Sequence, residues 1–134
     1  EYNNKEIDLY LDKKSSTENE KCYLITLHGN LKEIGKVRVT LKYFSSYLWN
    51  IGYEVNPFFI CHKYALQSLE LLKGMMIESG LTNPIITVYP DNLASVKTIQ
   101  AFGGVLVKEH NYGQKYSYDT YEVDLLEKQE TKKR

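Results

Sequence analysis

The chain has 134 residues with 17 Lys and Arg against 17 Asp and Glu, and this formal net charge of zero provides no overall field to attract nucleic acid. This length suits one domain with a single core, and no apolar run approaches the roughly 20 residues that span a bilayer, so we expect neither a nucleic-acid nor a membrane partner. Cys22 and Cys61 are the only cysteines and form no ligand or disulfide pattern, which leads us to expect no metal site and a cytoplasmic location.

Strand patterns fill the first half of the chain. Apolar and polar residues alternate there with a period of two, which is typical of strands with one buried face. A polar loop over 13–21 and the turn signal His28-Gly29-Asn30 separate these runs, and Pro57 ends the last of them. Four strands therefore precede the first long helix, over residues 7–11, 22–27, 36–43 and 49–55.

Helices alternate with strands in the second half. From Lys63 to Ser79 the apolar residues recur with helical spacing, and Gly80 is placed to end that helix. The β-branched run Ile85 to Tyr89 is typical of a central strand that is covered on both sides. After it, Asp91 or Asn92 can cap a second helix, which a Gly-Gly pair ends.

Two more strands complete the chain, over 105–109 and 116–125, and the second slips phase near residues 119–120 as a bulge would. The order of elements predicts an α/β fold of the mixed α+β kind. In it, mostly antiparallel N-terminal strands precede a β-α-β-α-β-β series, and helices pack on a mixed central sheet. We expect one domain over residues 1–126 and a charged, disordered tail over 127–134.

Both predicted helices begin just after a strand ends. The strand over 49–55 runs through Asn56 to Lys63 into the first helix, and the free N–H groups of a helix start attract phosphates. The second helix follows the strand over 85–89, at the same sheet edge if these two strands are parallel neighbours. Two helix starts at one edge predict a cleft that binds an anion.

The stretch from Gly52 to Gly104 resembles the GNAT superfamily of acetyl-CoA-dependent N-acetyltransferases. The similarity lies in G-Y-x-V-x-P before the long helix and in D-N-x-x-S at the start of the short one, and it is good from about Ile34 to Glu109. It covers the register of the whole segment and is therefore more specific than any single motif. The matching residues are Gly52, Tyr53, Val55, Pro57, Tyr64, Ala65, Asp91, Asn92, Ser95, Gly103 and Gly104.

This resemblance implies a GNAT-like fold in which the pantetheine arm of coenzyme A lies between two splayed parallel strands, here 49–55 and 85–89. It implies acetyl transfer from acetyl-CoA to a primary amine of a small molecule or a peptide, and members of the family often form homodimers. Backbone groups near the end of the first strand would bind pantetheine, and the loop after it would hold the pyrophosphate. The implied cofactor-binding residues are Val55, Asn56, Ile60, Cys61, His62, Lys63, Tyr64, Ala65, Asn92 and Ser95.

Several positions depart from the family pattern. The family has Arg or Gln where this chain has Ile60, and Gly where it has Cys61 and Lys63. The proton-donating Tyr of many members is Ile99 here. These departures favour an alternative, a weak or inactive GNAT-like domain that serves as a binding or assembly module, whereas the intact second-helix motif favours the enzyme. A short polar loop also replaces two helices that usually shape the acceptor site, so that side is either open or covered by a partner.

Glu54 is the candidate catalytic base. It lies on the polar face of its strand near the expected thioester, where a carboxylate could deprotonate an amine directly or through water, and a solvated surface residue is the alternative. Cys61 could be a nucleophile at a helix start, although a small residue in place of Gly is the simpler interpretation. His62 and His110 are more simply surface histidines. A proton donor could come from one of four tyrosines that are otherwise strand and core residues: Tyr112, Tyr116, Tyr118 and Tyr121.

Overall fold

A computed structural model describes residues 2–41, 49–111 and 117–127 of the chain. Two 3-10 helices, Lys13–Ser15 and Pro57–His62, accompany the main elements of these ranges. The main elements are β1 Tyr2–Asn3, β2 Ile7–Leu11, β3 Glu20–Leu27, β4 Glu33–Thr40, β5 Ile51–Val55, α1 Tyr64–Glu78, β6 Ile85–Val88, α2 Leu93–Ala101, β7 Gly104–His110 and β8 Tyr118–Val123.

The strands form two antiparallel sheets. The first has five strands in the order β1-β2-β3-β4-β5, and the second has three in the order β6-β8-β7. The predicted fold class, with antiparallel N-terminal strands followed by β-α-β-α-β-β, is confirmed. The central sheet is divided between β5 and β6, and the site described below depends on this division.

One face of both sheets packs against α1 and α2. The apolar residues of α1 recur every three or four positions, so that Leu69, Leu72 and Met76 form one buried stripe. Ile99 is the fully buried residue of α2. Burying such a side chain stabilises the fold by about 1.5–3 kcal/mol. The sheets contribute Ile7, Leu9, Tyr23, Ile25, Ile34, Val37, Val39, Ile51, Ile86, Val88, Tyr121 and Val123 to the same core.

No α-helix of the described residues covers the opposite face of the five-stranded sheet, which we call the outer face. Between β2 and β3 the chain forms only the 3-10 helix Lys13–Ser15, a short helical turn that the prediction of a plain loop missed. None of the helices in the described ranges is both long and apolar enough to cross a membrane. The outer face carries Tyr10, Leu24, Lys36, Arg38, Gly52 and Glu54, which alternate with the core residues of their strands.

The bulge of the second sheet lies on a different strand from the predicted one. Leu106 pairs with Tyr121 and Lys108 pairs with Thr120, so the extra residue is Val107 on β7. The phase slip near 119–120 therefore has the right position, but its cause is in the partner strand. The predictions for residues 42–43, for Tyr112 and Tyr116 and for the tail from 128 onwards lie outside the described residues. The domain boundaries remain a prediction.

Tyr23 should make the fold sensitive to alkali. Burial, with smaller effects of the charge of Tyr2 and a hydrogen bond to it, raises the pKa of Tyr23 from 10.0 to about 12. Because the pKa of Tyr23 is higher in the folded than in the unfolded protein, the folded state favours the protonated phenol. Its contribution to folding stability is therefore complete below about pH 10 and is lost as the pH rises towards 12. We expect a loss on the order of 2 kcal/mol across this range that Tyr23→Phe does not show. Denaturant unfolding of both proteins along the pH series tests this, and equal losses would refute it.

Candidate functional site

The two sheets are joined at Asn50, a buried residue just before β5. Its backbone N–H donates to the Ile85 carbonyl (2.7 Å), and its Oδ1 accepts from the Ile85 N–H (2.8 Å). Its Nδ2 donates to the Thr40 carbonyl at the end of β4 (2.9 Å). Both β5 and β6 begin at this junction. Because they belong to different sheets, no ladder of backbone hydrogen bonds follows, and a cleft opens between them.

The cleft edge of β5 carries unpaired backbone groups. At the two ends of the strand, Asn56 N–H donates to the Ile34 carbonyl and Thr40 N–H donates to the Asn50 carbonyl, both at 2.7 Å. In an antiparallel pair the residues alternate between facing the partner strand and facing away from it. Gly52 and Glu54 therefore face β4 with their backbone groups. Three residues direct N–H and C=O groups into the cleft: Ile51, Tyr53 and Val55.

A pair of hydroxyl groups crosses the cleft. The Tyr53 hydroxyl lies 2.7 Å from Ser95 Oγ, where either can donate, and 3.3 Å from the Ser95 carbonyl. Burial raises the pKa of Tyr53 above its usual 10.0, against smaller opposing effects of hydrogen bonds to Ser95 and Thr98. The phenol is therefore fully protonated near neutral pH. This bridge from β5 to α2 lies between two cavities, and Asn92 lines both of them.

The first cavity, of about 280 Å³, lies on the helix side of the bridge at the start of α1. Lys63 precedes α1 with φ 62° and ψ 25°, and it is the one non-glycine residue of the described ranges with a positive φ. No side chain caps α1 and its first turn has no acidic residue, so its leading N–H groups are suited to an anion. The lining includes Val55, Ile60, Lys63, Tyr64, Ala65, Asn92, Ser95 and Thr98.

The second cavity, of about 450 Å³, opens on the outer face and is called the outer cavity below. Thr87 and Tyr118 line it, and they alternate with residues that face the core. The ring of Trp49 lies over Gly52, because a Cβ placed on Gly52 would be 3.4 Å from Trp49 Cζ3. Tyr89 lines the same cavity at the end of β6. Tyr53 and Ser95 line both cavities, so the two cavities meet at the hydroxyl bridge.

Comparison with known proteins identifies this architecture. No family model matches the sequence, and a comparison with curated proteins finds no match. Solved structures do match. RimJ of Mycobacterium smegmatis in complex with CoA-disulfide has a TM-score of 0.65 and 17% identity, covering 78% of this chain and 53% of RimJ. A GNAT-family acetyltransferase of Bacillus anthracis has a TM-score of 0.67 and 21% identity, covering 79% and 67%.

A third match is the microcin C7 self-immunity acetyltransferase MccE in complex with acetyl-CoA and AMP, with a TM-score of 0.65 and 19% identity over 78% of this chain and 61% of MccE. The chain has the GNAT fold. The predicted resemblance is thereby confirmed at the level of the fold. Because this chain spans 53% of RimJ and 61% of MccE, the activities of those proteins do not transfer with it.

The GNAT fold of this chain places Glu54 at the rim of the site. Glu54 is exposed, lies opposite Lys36 in the β4–β5 register and lines an outer-face depression that also contains Arg38 and Trp49. Glu54 is also one of the residues that line the helix-side cavity. Gly52, which lines the outer cavity, precedes it by two residues on the same strand face, a distance of about 7 Å. The carboxylate is therefore near the outer cavity and outside its lining.

Other predicted residues have structural roles in this fold. Asn92 caps α2 by accepting from Ser95 N–H at 3.2 Å, so the choice between Asp91 and Asn92 is settled. Asn56 accepts from Phe58 N–H at 3.0 Å, and its own N–H is paired with β4. His62 is exposed, and its ring stacks on Tyr64 with the centroids 5.3 Å apart. The prediction for the Cys61 side chain lies outside what the structure describes.

Four residues of the site were not predicted as functional. Asn50 and Trp49 precede β5, Tyr89 follows β6, and the Tyr53 hydroxyl reaches α2. The sequence motif and the strand pattern both contain Tyr53 but assign it no chemical role. The sequence does carry one indication for Asn50. It is a polar residue directly before a strand in which apolar residues alternate with polar ones, and a polar side chain that is buried at such a place needs hydrogen-bond partners. Of the four tyrosines considered as proton donors, Tyr118 lines the outer cavity and Tyr121 is buried in the core.

Proposed function

We propose that this protein is an N-acetyltransferase that uses acetyl-CoA to acetylate a primary amine. The observation that carries the proposal is the unpaired backbone edge of β5, which lines a cleft between the starts of two helices. That edge offers amide donors and acceptors in a row, as a pantetheine arm requires. The match to structures solved with CoA-disulfide and with acetyl-CoA supports the same ligand class.

The residues present fit coenzyme A. The backbone of Val55 would bind the pantetheine amides, and the uncapped start of α1, from Tyr64 to Ala65, would receive the pyrophosphate. Lys63 adds a cation at this point, and Asn92 and Ser95 line the path between the cavities. When bound, acetyl-CoA would supply an acetyl thioester. The amine nitrogen would form a bond to the acetyl carbon as the carbon–sulfur bond breaks. The amine would lose one proton, and the leaving sulfur would take up one to become the free thiol.

The chain offers a group for each proton. The Tyr53–Ser95 hydroxyl pair lies inside the cleft and is protonated at neutral pH, so it is suited to give a proton to the leaving sulfur. Ile99 cannot do so, because it is fully buried and apolar. Glu54 at the rim is suited to take the proton of the incoming amine through a water molecule. Substrates would enter from opposite faces, acetyl-CoA on the helix side and the amine on the outer side.

The alternative is a GNAT-fold module without turnover. It is favoured by Ile60, which is 54% exposed where a charged or polar residue would contact the pyrophosphate, and by the strained backbone of Lys63. A module of this kind would bind acetyl-CoA weakly or not at all. Homodimer formation and a cytoplasmic location remain predictions under either proposal.

Acetyl-CoA should bind and stabilise the folded protein. At about a hundred times its dissociation constant it should raise the free energy of unfolding by roughly 2.7 kcal/mol. Calorimetric titration and thermal melting measure this, with Val55→Pro as the in-site variant because it removes one N–H donor from the cleft edge of a strand. The matched control is acetyl phosphate, which has an acyl group and a phosphate but no pantetheine. If millimolar acetyl-CoA gives no heat and no melting shift, the proposal fails.

The loop before α1 should limit acetyl-CoA affinity. In Ile60→Arg with Lys63→Gly, the arginine can add a charge-assisted hydrogen bond, which is about a ten- to hundredfold gain in affinity. Glycine at 63 relieves a left-handed backbone that costs a side-chain-bearing residue roughly 1–2 kcal/mol. Each single variant separates the two effects: Lys63→Gly should mainly raise stability, and Ile60→Arg should mainly raise affinity. Unchanged affinity in a folded double variant would place the pyrophosphate elsewhere.

A further inference from the structure

Aromatic rings from three separate elements surround the outer cavity. Trp49 precedes β5, Tyr89 follows β6 and Tyr118 begins β8, and Tyr53 adds a fourth ring at the hydroxyl bridge. Acetyl transfer as such needs one donor and one base and does not need such a wall. The rings therefore indicate the chemical class of the acceptor that the cavity binds.

Tyr118 is held in one orientation by the neighbouring strand β7. Its ring stacks on His110 with the centroids 4.2 Å apart and the planes at 13°. His110 is in turn fixed by a hydrogen bond of 3.1 Å between its Nε2 and Thr120 Oγ1. A ring that is supported in this way loses little side-chain entropy when a ligand packs against it.

The lining is also without charge. Among the described residues that line the outer cavity there is no Asp, Glu, Lys or Arg. The sequence stretches 42–48 and 112–116, which the structure does not describe, contain no Asp or Glu, and each contains one lysine, Lys42 and Lys115. A polyamine or an aminoglycoside-like polycation is normally held by carboxylates. No described residue of this lining supplies a carboxylate.

We propose that the acceptor is a primary amine carried on a flat aromatic ring. The ring would stack among Trp49, Tyr89 and Tyr118, and the amine would point towards the Tyr53–Ser95 bridge. Offset or edge-to-face aromatic contacts supply selectivity beyond simple area burial. The uncharged cavity also favours the neutral amine, which is the nucleophilic form. This inference rests on the proposed acetyl transfer for its amine and on the lining alone for its ring.

Trp49 makes the test direct, because it is the only tryptophan of the chain. Its fluorescence can be titrated with phenethylamine, with cyclohexylethylamine as the saturated analogue of equal chain length, and with spermidine. We expect phenethylamine to bind about three- to tenfold more tightly than cyclohexylethylamine, as aromatic contacts allow. Spermidine should bind more weakly than both.

Variants locate the effect. Tyr118→Leu and Tyr89→Leu should each reduce the phenethylamine preference, and Tyr118→Phe should retain it because the ring remains. Tyr89 is 61% exposed, so its variant tests the idea even if loss of the Tyr118 ring disturbs the fold. Tyr10→Leu, a tyrosine on the outer face of β2 outside the cavity, is the matched control and should change nothing.

Equal binding of the two ring amines, tighter binding of spermidine, or a preference that survives both leucine variants would overturn the inference. Calorimetry with acetyl-CoA on the same samples distinguishes failure of this inference from failure of the proposed function. If acetyl-CoA binds and the ring preference is absent, only the inference fails. If acetyl-CoA does not bind and the preference is present, the aromatic site stands and acetyl transfer does not.

Discussion

We expect Asn50→Ala to destabilise the protein by about 3–6 kcal/mol. The substitution removes the Oδ1 acceptor of Ile85 N–H and the Nδ2 donor to the Thr40 carbonyl. Asn50 is only 1% exposed, so water cannot replace these bonds without a local opening. Each backbone group left unsatisfied costs about 1–3 kcal/mol, and the lost packing adds to this.

Urea unfolding monitored by circular dichroism measures the change. Asn83→Ala is the matched control, because Asn83 is exposed and its hydrogen bond is with the neighbouring Thr82 side chain. It should cost less than about 0.5 kcal/mol, as surface substitutions usually do. Because Asn50 also sets where β5 and β6 separate, acetyl-CoA affinity should fall in the protein that remains folded. A loss below 1 kcal/mol for Asn50→Ala would show that the sheets are held together elsewhere.

The elements with a clear hydrophobic period could be predicted closely from the sequence. β2 has its predicted bounds, α1 is one residue shorter than predicted at each end, and β6 is one residue shorter at its C-terminal end. In each of them burial on one side imposes the period that the sequence shows. The 3-10 helix Pro57–His62 was missed for the same reason, since Phe58 and Ile60 are 88% and 54% exposed and follow no buried stripe.

Glycines illustrate what a sequence pattern leaves open. The Gly-Gly pair at 103–104 predicts the end of α2, and Gly103 indeed has a positive φ of 104°. Gly104 is required for a different reason, because a Cβ there would collide with the Ile99 side chain and lie 2.8 Å from its carbonyl oxygen. That contact joins β7 to α2 and depends on packing, which no local pattern encodes.

Much of the helix-side cavity could be predicted, and the outer cavity could not. Val55, Lys63, Ala65 and Asn92 line the helix-side cavity because the motif spacing fixes where the strand ends and both helices begin. The outer cavity depends on how far β5 and β6 diverge, which is set by Asn50 and by contacts between segments 35 residues apart. Residues such as Trp49 and Tyr89 acquire their place only through that divergence.

If the protein turns over, Glu54→Gln should lower kcat by about a hundredfold or more, as loss of a general base does. Glu54 is the only acidic residue on β5 and lies on the outer face, from which the amine would enter. Glutamine keeps the shape of the side chain and cannot accept the proton. The affinity for acetyl-CoA should hardly change, because the cleft edge of β5 is formed by backbone groups of other residues.

The pH profile separates a base from a residue that only positions the substrate. With an aromatic amine as acceptor, the pH profile of turnover should differ between the wild type and Glu54→Gln, because glutamine cannot take up the proton of the amine. Lys36→Gln is the matched control, since Lys36 pairs across the strands with Glu54 on the same outer face and has no part in proton transfer. It should retain the shape of the wild-type profile. Equal rates and the same profile for wild type and Glu54→Gln would remove Glu54 from the mechanism and leave water as the proton acceptor.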